Sequence, residues 1–344
     1  MIKIRIYIFY RRKFGNVSIY QDINSSDPWA VTHIAEDLYI PGNILFSSDN
    51  SLKTTDGESN SIIAGSETPG YTNGIGVEAR FNFIGKFMQI NSTDIIIVDV
   101  LNFCFRYFVR SSEVVTPFVG QCTKRGSVAG SIESVKFYRI TDALLGKGRS
   151  ANTLFILEEY SVLYMNINSY LVITLVYFPA PRPFDYLTGL VLDPNTDGGS
   201  LLLLANTEIR NVSTPDLKKI RSLTQSTISF KAPTNRSIDG KFSEASYAYC
   251  DRIVSITNGV YVISYNSPLD TGRLRIIDFV TQYISSICVV SKSLFLAGKI
   301  SRCVIPHTSG LAVIKDVLYI GGTNVIYQIP SKYQKPLILL AVFR

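Results

Sequence analysis

Histidine is scarce in this chain: its 344 residues include only two, His33 and His307. Zinc enzymes usually hold the metal with a cluster of histidines, so this composition argues against a zinc site. His33 stands in an apolar run and is expected to pack within a strand, whereas His307 is expected in an exposed loop. Composition permits a Ser-His-Asp triad, but the G-x-S-x-G turn and the GxxxxGK[ST] phosphate loop are missing.

Long hydrophobic runs are also missing. The longest apolar stretches, at 170–180 and 336–343, are shorter than the roughly 18 residues of a membrane-spanning helix, so no transmembrane segment is predicted. The opening residues, MIKIRIYIFYRRKF, alternate apolar and basic positions and contain no small-residue cleavage site. They predict a β-strand over residues 2–10 rather than a signal peptide.

Charged residues make up only 18% of the chain, and the net charge of +7 is unevenly distributed. Five basic residues precede the first acidic one, Asp22: Lys3, Arg5, Arg11, Arg12 and Lys13. A nucleic-acid-binding protein is expected to carry a basic face across its fold, so a nucleic-acid partner is disfavoured. A second basic cluster is interpreted as a solvated loop: Lys218, Lys219, Arg221, Lys231 and Arg236.

Short strand patterns recur roughly every 55 residues, the spacing of a repeat protein. Segments starting at Gly74, Gly130 and Gly240 each reach an aromatic residue about seven positions later and continue into short strands. A single unit of this kind cannot bury both faces of its sheet, so the units must stack into a closed ring. The predicted blades are 26–62, 63–115, 116–170, 171–228, 229–286 and 287–335.

The sequence therefore predicts an all-β fold, a six-bladed β-propeller of four-stranded antiparallel blades over residues 26–335. Residues 1–25 contain the N-terminal strand, which is expected to join the last blade and close the ring, and 336–344 form a tail. The blade at 63–115 is the clearest. Asp94–Asp99 predicts a buried strand, Val100–Asn102 a turn, Phe103–Val109 a returning strand and Val114–Gly120 the outer strand.

The same blade carries a family resemblance. Its sequence resembles an NHL repeat at Gly74, Gly76, Ala79, Arg80, Phe81, Asp99, Asn102 and Arg106. The likeness covers 63–115, extends in part over 116–160 and 235–280, and departs at 83–85, where the family has a proline after the phenylalanine. It implies a six-bladed propeller that binds proteins, RNA or carbohydrate-bearing partners. A minority of such propellers are enzymes that hold a channel metal.

Other candidate motifs do not predict a cofactor, metal or catalytic site. Gly74-x-Gly76 opens no helix, so it is interpreted as a turn rather than a dinucleotide loop. Asp193, Asn195 and Asp197 resemble a calcium loop, but the closing glutamate of an EF-hand is missing and a polar loop is expected. Glu158 and Glu159 are adjacent on a strand and would point to opposite faces, so they are not a natural catalytic pair.

The chain has five cysteines: Cys104, Cys122, Cys250, Cys288 and Cys303. A hairpin turning at Ser111–Glu113 would place Cys104 opposite Cys122, which predicts a disulfide, with two buried free thiols as the alternative. Cys288 and Cys303 fit a second bridge less well, and Cys250 is expected to be unpaired. A disulfide would indicate an oxidising compartment.

Glycosylation sequons point to the same compartment. They start at Asn16, Asn24, Asn91, Asn211 and Asn235, and Asn91 is the best candidate because it should lie in an exposed turn. The residues favour a non-enzymatic binding scaffold, secreted or part of a receptor ectodomain, that recognises a protein or glycan through its loops. Two alternatives stay open: a propeller hydrolase or lyase with a channel metal, and an intracellular NHL domain that binds RNA or protein.

Overall fold

The computed structural model describes residues 3–9, 12–14, 18–22, 31–178, 187–205, 209–213, 225–228, 238–245, 249–256, 259–265, 272–291, 304–306, 308–322, 325–333 and 337–343. Regular structure in these ranges is β-strand, apart from three single-turn 3₁₀ helices at Gly76–Glu78, Val100–Asn102 and Gly148–Ser150. The described strands assemble into six blades and one separate two-stranded ribbon.

Three N-terminal strands precede the first blades: β1 (Lys3–Phe9), β2 (Arg12–Phe14) and β3 (Ser18–Asp22). Blade 1 consists of β4 (His33–Glu36), β5 (Ile44–Ser48), β6 (Ser51–Thr55) and β7 (Asn60–Gly65). Blade 2 consists of β8 (Gly74–Ile75), β9 (Ile84–Gln89), β10 (Asp94–Asp99), β11 (Cys104–Val109) and β12 (Val114–Val119). Blade 3 consists of β13 (Gly130–Ser131), β14 (Ile140–Leu145), β15 (Thr153–Glu158), β16 (Ser161–Asn166) and β17 (Leu171–Tyr177).

The remaining blades follow in chain order. Blade 4 consists of β18 (Leu187–Leu192), β19 (Ser200–Ala205), β20 (Ile209–Ser213) and β21 (Gln225–Ile228). Blade 5 consists of β22 (Gly240–Lys241), β23 (Tyr249–Ile256), β24 (Gly259–Tyr265), β25 (Gly272–Asp278), β26 (Tyr283–Ser291) and β27 (Val304–Pro306), the last pairing parallel to β26. Blade 6 consists of β28 (Thr308–Ile314), β29 (Val317–Gly322) and β30 (Val325–Tyr333), and β31 (Leu337–Phe343) ends the chain.

The innermost strand of each blade touches the innermost strand of the next. These contacts run from β4 through β9, β14, β18, β23 and β28, and β28 returns to β4. The ring is therefore closed, and the predicted six-bladed β-propeller is confirmed. The blade-2 strands also fall where the sequence predicts them, within one residue at each end.

Hydrophobic packing between blades holds the ring together. Six clusters of buried apolar side chains are found in the described residues, one at each interface between neighbouring blades. Between blades 2 and 3, for example, Phe105 packs on Phe137 with ring centroids 5.4 Å apart. Second strands such as β10 and β19 are buried on both faces because each blade is covered on either side, which explains their continuous apolar runs.

The recurring glycine signature marks an added edge strand. Gly74, Gly130 and Gly240 begin two-residue strands that pair with the outermost strand of blades 2, 3 and 5. Their φ angles are +156°, +148° and +152°, which side-chain-bearing residues rarely adopt. The sequence repeat therefore corresponds to a bend that returns the chain along the outside of a blade.

The N-terminal strands lie differently from the prediction. The strand expected at residues 2–10 does not join the last blade, because β1 pairs with β31 in a separate ribbon, and the predicted tail therefore contains a strand. Blade 6 is instead completed by β2 and β3, which both pair with β30. N-terminal strands thus fill the outer edge of the C-terminal blade, an edge that would otherwise be exposed.

Candidate functional site

The innermost strands share a β-bulge near their first residue. In β9, β14, β18, β23 and β28 one residue is skipped in pairing with the second strand: Gly85, Thr141, Thr188, Asp251 and Ser309. A bulge inserts one extra residue into a strand and so changes the direction in which the following side chains point. The residue after the bulge therefore has an equivalent position in blades 2 to 6.

Threonine residues at equivalent positions align the innermost strand of blade 1 with those of blades 3 and 4. Bulged Thr141 donates its hydroxyl to the carbonyl of Leu157 at 3.2 Å, and bulged Thr188 donates to the carbonyl of Leu204 at 3.3 Å. In blade 1, the hydroxyl of Thr32 donates to the carbonyl of Ile84 at 2.6 Å and lies 3.5 Å from the carbonyl of Ser47. Ser47 pairs with His33 as Leu157 pairs with Asp142. His33 is thus the blade-1 counterpart of Asp142.

One residue per blade therefore forms a ring around the central channel. We call this set the channel ring: His33, Lys86, Asp142, Gly189, Arg252 and Gly310. Its four side-chain-bearing members are all partly exposed. The ring includes two permanent cations and one carboxylate.

Members of the channel ring reach towards the following blade. The imidazole of His33 packs edge-on against Phe87 of blade 2, with ring centroids 4.6 Å apart. The ammonium of Lys86 reaches Asp142 of blade 3 at 2.6 Å. A methyl group added at Gly189 would lie 2.8 Å from the side chain of Ile253 in blade 5. The channel ring therefore also joins neighbouring blades.

Asp142 connects three blades. Its Oδ1 accepts hydrogen bonds from Lys86 Nζ at 2.6 Å and from the backbone N–H of Ala143 at 2.8 Å. Its Oδ2 accepts from the backbone N–H of Leu190 in blade 4 at 2.8 Å. Three donors around one carboxylate fix its orientation.

His33 lies beside positive charge and is held neutral. Burial lowers its pKa well below the usual value of 6.5, and the charges of Lys86 and Arg252 lower it further. Its Nδ1 atom is buried and has no hydrogen-bond partner among the described residues. A buried ring nitrogen without a partner costs free energy, which suggests a functional reason for its retention.

The low pKa of His33 predicts acid sensitivity. The native state binds fewer protons than the unfolded state below pH 6.5, so the free energy of unfolding should fall as the pH drops through that value. The slope from this one group should reach up to about 1.4 kcal/mol per pH unit. Urea unfolding between pH 7 and pH 5 measures it. His33→Gln should flatten the profile and His307→Gln should not. Equal profiles in all three proteins would contradict the assignment.

The NHL-like residues lie within blade 2 and are not members of the channel ring. Arg106 is fully buried and bonds Asp99 Oδ2 at 3.1 Å, Asn73 Oδ1 at 2.6 Å and the carbonyl of Thr72 at 2.9 Å. Its guanidinium lies 5.2 Å from the centroid of Phe81. The arginine therefore fixes the segment that leads to Gly74.

Asp99 and Asn102 complete this network. Asn102 Nδ2 donates to Asp99 Oδ2 at 2.9 Å and to the carbonyl of Gly70 at 2.8 Å. Asp99 Oδ1 accepts from the backbone N–H of Asn82 at 2.8 Å. Burial raises the pKa of Asp99, and these hydrogen bonds and Arg106 oppose that effect. Gly76 has a φ of +50° and donates its N–H to the carbonyl of Glu113.

A second buried arginine was not predicted from the sequence. Arg275 in blade 5 is fully buried and donates from Nε and Nη2 to Asp239 Oδ1 at 3.2 and 2.9 Å. Asp239 precedes Gly240 as Asn73 precedes Gly74. A sequence pattern could have predicted this pair. It is an arginine in the third strand, counted from the innermost strand of the blade, together with a polar residue before the repeat glycine.

The disulfide between Cys104 and Cys122 is confirmed, with the sulfur atoms 2.09 Å and the Cα atoms 5.0 Å apart. The register argument for it was wrong, because Phe105 pairs with Val119 and Cys122 lies beyond the end of β12. A turn brings it back, in which the N–H of Thr123 donates to the carbonyl of Asn102 at 2.7 Å.

Cys288 is also disulfide-bonded. Its partner lies outside the described residues, as do Cys303, His307 and the side chain of Cys250. The basic cluster predicted as a loop, 218–236, has no described side chains, and the sequons at Asn16, Asn24 and Asn235 also fall outside the described residues.

The other sequence candidates are engaged in local structure. Asn91 is exposed, and its Oδ1 accepts from the backbone N–H of Thr93 and Asp94, both at 2.8 Å. Asp193 caps its own loop by accepting from the N–H of Asn195 at 2.9 Å. The carboxylate of Glu158 accepts from the N–H of Tyr138 at 2.7 Å, and burial raises its pKa.

Glu159 instead pairs with Arg139 at 2.5 Å, so the two adjacent glutamates have different partners. No group of three or more His, Cys, Asp or Glu side chains in the described ranges could hold a metal ion. No described helix is long and apolar enough to cross a membrane.

Comparison with known proteins identifies the fold but no family. No protein-family model matches the sequence, and no curated protein matches it. The resemblance to the NHL repeat is therefore not confirmed as family membership. Many solved structures match the fold.

Two similar structures are auxiliary nutrient binding proteins. The one from Bacteroides thetaiotaomicron is 11% identical with a TM-score of 0.65, covering 94% of this chain and 77% of its own. The one from Bacteroides ovatus is 10% identical with a TM-score of 0.65, covering 94% and 78%. A third, provisionally named a phosphatase, is from B. thetaiotaomicron, 11% identical with a TM-score of 0.62, covering 94% and 80%.

Proposed function

We propose that this protein is a non-enzymatic binding scaffold, secreted or part of a receptor ectodomain, that recognises a protein or glycan. The observation that carries the proposal is the closed ring of blades around a channel whose charged lining is fixed by hydrogen bonds between blades. Such a scaffold holds side chains and loops in defined positions without requiring them to move.

The bonded cysteines support the proposed compartment. Cys104 and Cys122 are joined across the end of blade 2, and Cys288 in blade 5 is bonded as well. Disulfides persist in oxidising compartments and are rare where thiols are kept reduced.

A rigid apolar loop near the channel mouth supports recognition. Leu38, Tyr39 and Ile40 follow β4 and are exposed by 46%, 44% and 38%. Asp37 Oδ1 accepts from the N–H groups of Tyr39 and Ile40 at 2.9 and 3.2 Å. Gln89 of blade 2 accepts from the N–H of Leu38 at 3.0 Å. Exposed apolar residues held in this way are typical of a contact surface.

The names of the proteins with similar folds are consistent with a binding function, but they do not establish one. Two are called nutrient binding proteins. Two more are called extracellular domains of B. thetaiotaomicron signalling systems, with provisional assignments and TM-scores of 0.50 and 0.56. At 8–12% identity these matches extend only to the fold.

A glycan array with neutral and acidic oligosaccharides, together with cell-surface binding, tests the proposal. We expect saturable binding to at least one glycan or surface protein. Tyr39→Ala should weaken protein-partner binding, whereas Tyr177→Ala, which removes a tyrosine exposed by 64% on the outer strand of blade 3, should not. Calcium-dependent hydrolysis of lactones or esters, or absence of any partner, would overturn the proposal.

The enzyme alternative is tested in the same preparation because one protein of similar fold bears a phosphatase name. Release of nitrophenol from p-nitrophenyl phosphate, together with stoichiometric metal by elemental analysis, would favour it. Salt-sensitive RNA binding with reduced cysteines would favour the intracellular alternative.

Removal of the blade-2 disulfide should be destabilising. The bond closes a loop with a sequence separation of 18, for which roughly 3 kcal/mol is expected. The double variant Cys104→Ser/Cys122→Ser should therefore lose about 3 kcal/mol in urea unfolding. Adding reductant to the wild type gives the matched comparison. A loss below about 0.5 kcal/mol would show that the bond contributes little.

Asn91 is the proposed glycosylation site. Expression through a eukaryotic secretory pathway should add a glycan that peptide-N-glycosidase removes, because Asn91 is exposed in a turn before β10. Asn91→Gln should abolish that mass shift. Retention of the shift in this variant would place the glycan on another sequon.

A further inference from the structure

We propose that blade 3 has a second contact surface, which binds an acidic segment of a partner protein. Three cations and one aromatic residue form it, and we call it the Arg125 surface: Lys124, Arg125, Lys136 and Tyr138. The inference rests on the proposed binding function and adds a site and a partner class to it. This surface comes before the innermost strand β14, whereas Leu38–Ile40 follow β4, so the two contact surfaces lie at opposite ends of the ring.

Covalent and hydrogen bonds fix the segment that contains Arg125. The disulfide of Cys122 attaches the start of the segment to blade 2. Two backbone hydrogen bonds of 3.0 Å between Val128 and Lys136 attach its end to the stretch that leads into β14. A surface held in this way needs little ordering when a partner binds.

Tyr138 positions the guanidinium of Arg125. The guanidinium lies 3.9 Å from the centroid of the Tyr138 ring, and Nε donates to the carbonyl of the same tyrosine at 3.2 Å. Arg125 is exposed, and its Nη groups have no hydrogen-bond partner in the described part of the chain. These groups are planar donors whose geometry matches the two oxygens of a carboxylate.

The positive charge of the Arg125 surface is not offset by ion pairs. Among the described residues, no carboxylate lies within ion-pair distance of Lys124, Arg125 or Lys136. Glu133 is exposed on the same segment, so one negative charge stands against three positive ones. Glu159 already has an arginine partner. An acidic partner would therefore meet net positive charge here.

Blade 2 shows that the two consecutive cations are not needed for the fold of this segment. Gly70 of blade 2 and Gly126 of blade 3 each donate their N–H to the carbonyl of a phenylalanine, at 2.9 and 3.0 Å. The residues before the glycine are Thr68-Pro69 in blade 2 and Lys124-Arg125 in blade 3. Because both segments form the same backbone contact, the charges of blade 3 point to a role other than folding.

Apolar side chains near the cations favour a protein partner over a sulfated polysaccharide. Tyr138 is exposed by 44%, Val128 by 47% and Leu101 by 53%. Leu101 belongs to the same blade-2 turn as Phe103, whose ring centroid lies 5.9 Å from the guanidinium of Arg125. A peptide with both carboxylates and apolar side chains can contact both kinds of residue, whereas a sulfated chain would pair mainly with the cations.

The test is selection of a random dodecapeptide display library on the wild-type protein, followed by fluorescence anisotropy with the most enriched peptide. We expect the enriched peptides to combine Asp or Glu with apolar residues, and their affinity to fall as the salt concentration rises. Heparin is the competing probe. If heparin binds through the Arg125 surface and acidic peptides are not enriched, the surface belongs to a glycan and the inference is overturned.

Two double variants with the same change in charge separate the Arg125 surface from overall charge. Lys124→Thr/Arg125→Gln should weaken binding of the selected peptide about tenfold or more, since two cations and a charge-assisted hydrogen bond are lost. Lys147→Thr/Arg149→Gln removes two exposed cations from the turn after β14, at the other end of that strand. It should change affinity less than about twofold.

Two single variants refine the assignment. Arg125→Lys retains the charge but loses the planar pair of donors, so about threefold weakening is expected. Tyr39→Ala alters the other contact surface and should leave affinity for the selected peptide unchanged. Urea unfolding of each variant checks that the fold is intact.

Enriched peptides without acidic residues, or equal weakening by the two double variants, would also overturn the inference. Partner binding in the glycan or cell-surface assay that Lys124→Thr/Arg125→Gln does not affect would reject the Arg125 surface and leave the binding scaffold standing. Hydrolysis of a substrate would reject the scaffold proposal itself.

Discussion

Arg106→Met should lower the free energy of unfolding by about 3–5 kcal/mol, the usual cost of removing one partner from a buried ion pair. The variant leaves the buried carboxylate of Asp99 without its cation and removes the hydrogen bonds to Asn73 Oδ1 and to the carbonyl of Thr72. Urea unfolding at neutral pH measures the loss. The bend before Gly74 should also loosen, which amide hydrogen exchange in residues 70–76 would detect.

The matched control is Arg139→Met. Arg139 forms an ion pair with Glu159, but its side chain is exposed by 54%, so the expected loss is below about 1 kcal/mol. The double variant Arg106→Met/Asp99→Leu should recover part of the loss, because no buried charge remains unpaired. Equal losses in the two single variants would show that burial of the Asp99 pair has no special energetic weight.

Deletion of residues 1–22 should destabilise blade 6. It removes β2 and β3, which both pair with β30 and provide the outer edge of blade 6. With about 0.5–1.5 kcal/mol for each lost backbone hydrogen bond, the loss should be about 4 kcal/mol or more, a large part of the stability of a typical domain. Thermal unfolding and small-angle scattering would show a less stable, more expanded protein.

Deletion of residues 1–9 is the control. It removes β1, whose described pairing is with β31 alone in a two-stranded ribbon. An isolated ribbon of two strands is marginally stable, so the loss should be less than about 2 kcal/mol. If both deletions have the same effect, the stabilising role of β2 and β3 in blade 6 is wrong. Recovery of the larger deletion by an added peptide of residues 10–25 would support it independently.

Local patterns in the sequence predicted the blades. The run DIIIVD predicted β10 because a strand buried on both faces needs apolar side chains at successive positions. The recurring glycine predicted a repeat because only glycine readily adopts the backbone angles found at Gly74, Gly130 and Gly240. These are properties of neighbouring residues, and a sequence displays them directly.

Pairings between distant strands were harder to predict. The strand at residues 2–10 was recognised, but its partner is β31, and β3 rather than β1 lies beside β30. Alternating apolar residues predict a strand and its buried face, but they do not determine which strand pairs with it. The disulfide was predicted from a simple hairpin register, whereas a bulge and a turn at Thr123 bring Cys122 to Cys104.

The sequence by itself determined the all-β repeat architecture and the turns of blade 2. Only the tertiary structure showed the channel ring, because His33, Lys86 and Arg252 stand in different blades and no local spacing connects them. Closure of the ring places one residue of the innermost strand from every blade at the same level. Burial, together with the charges of Lys86 and Arg252 from two other blades, therefore lowers the pKa of His33.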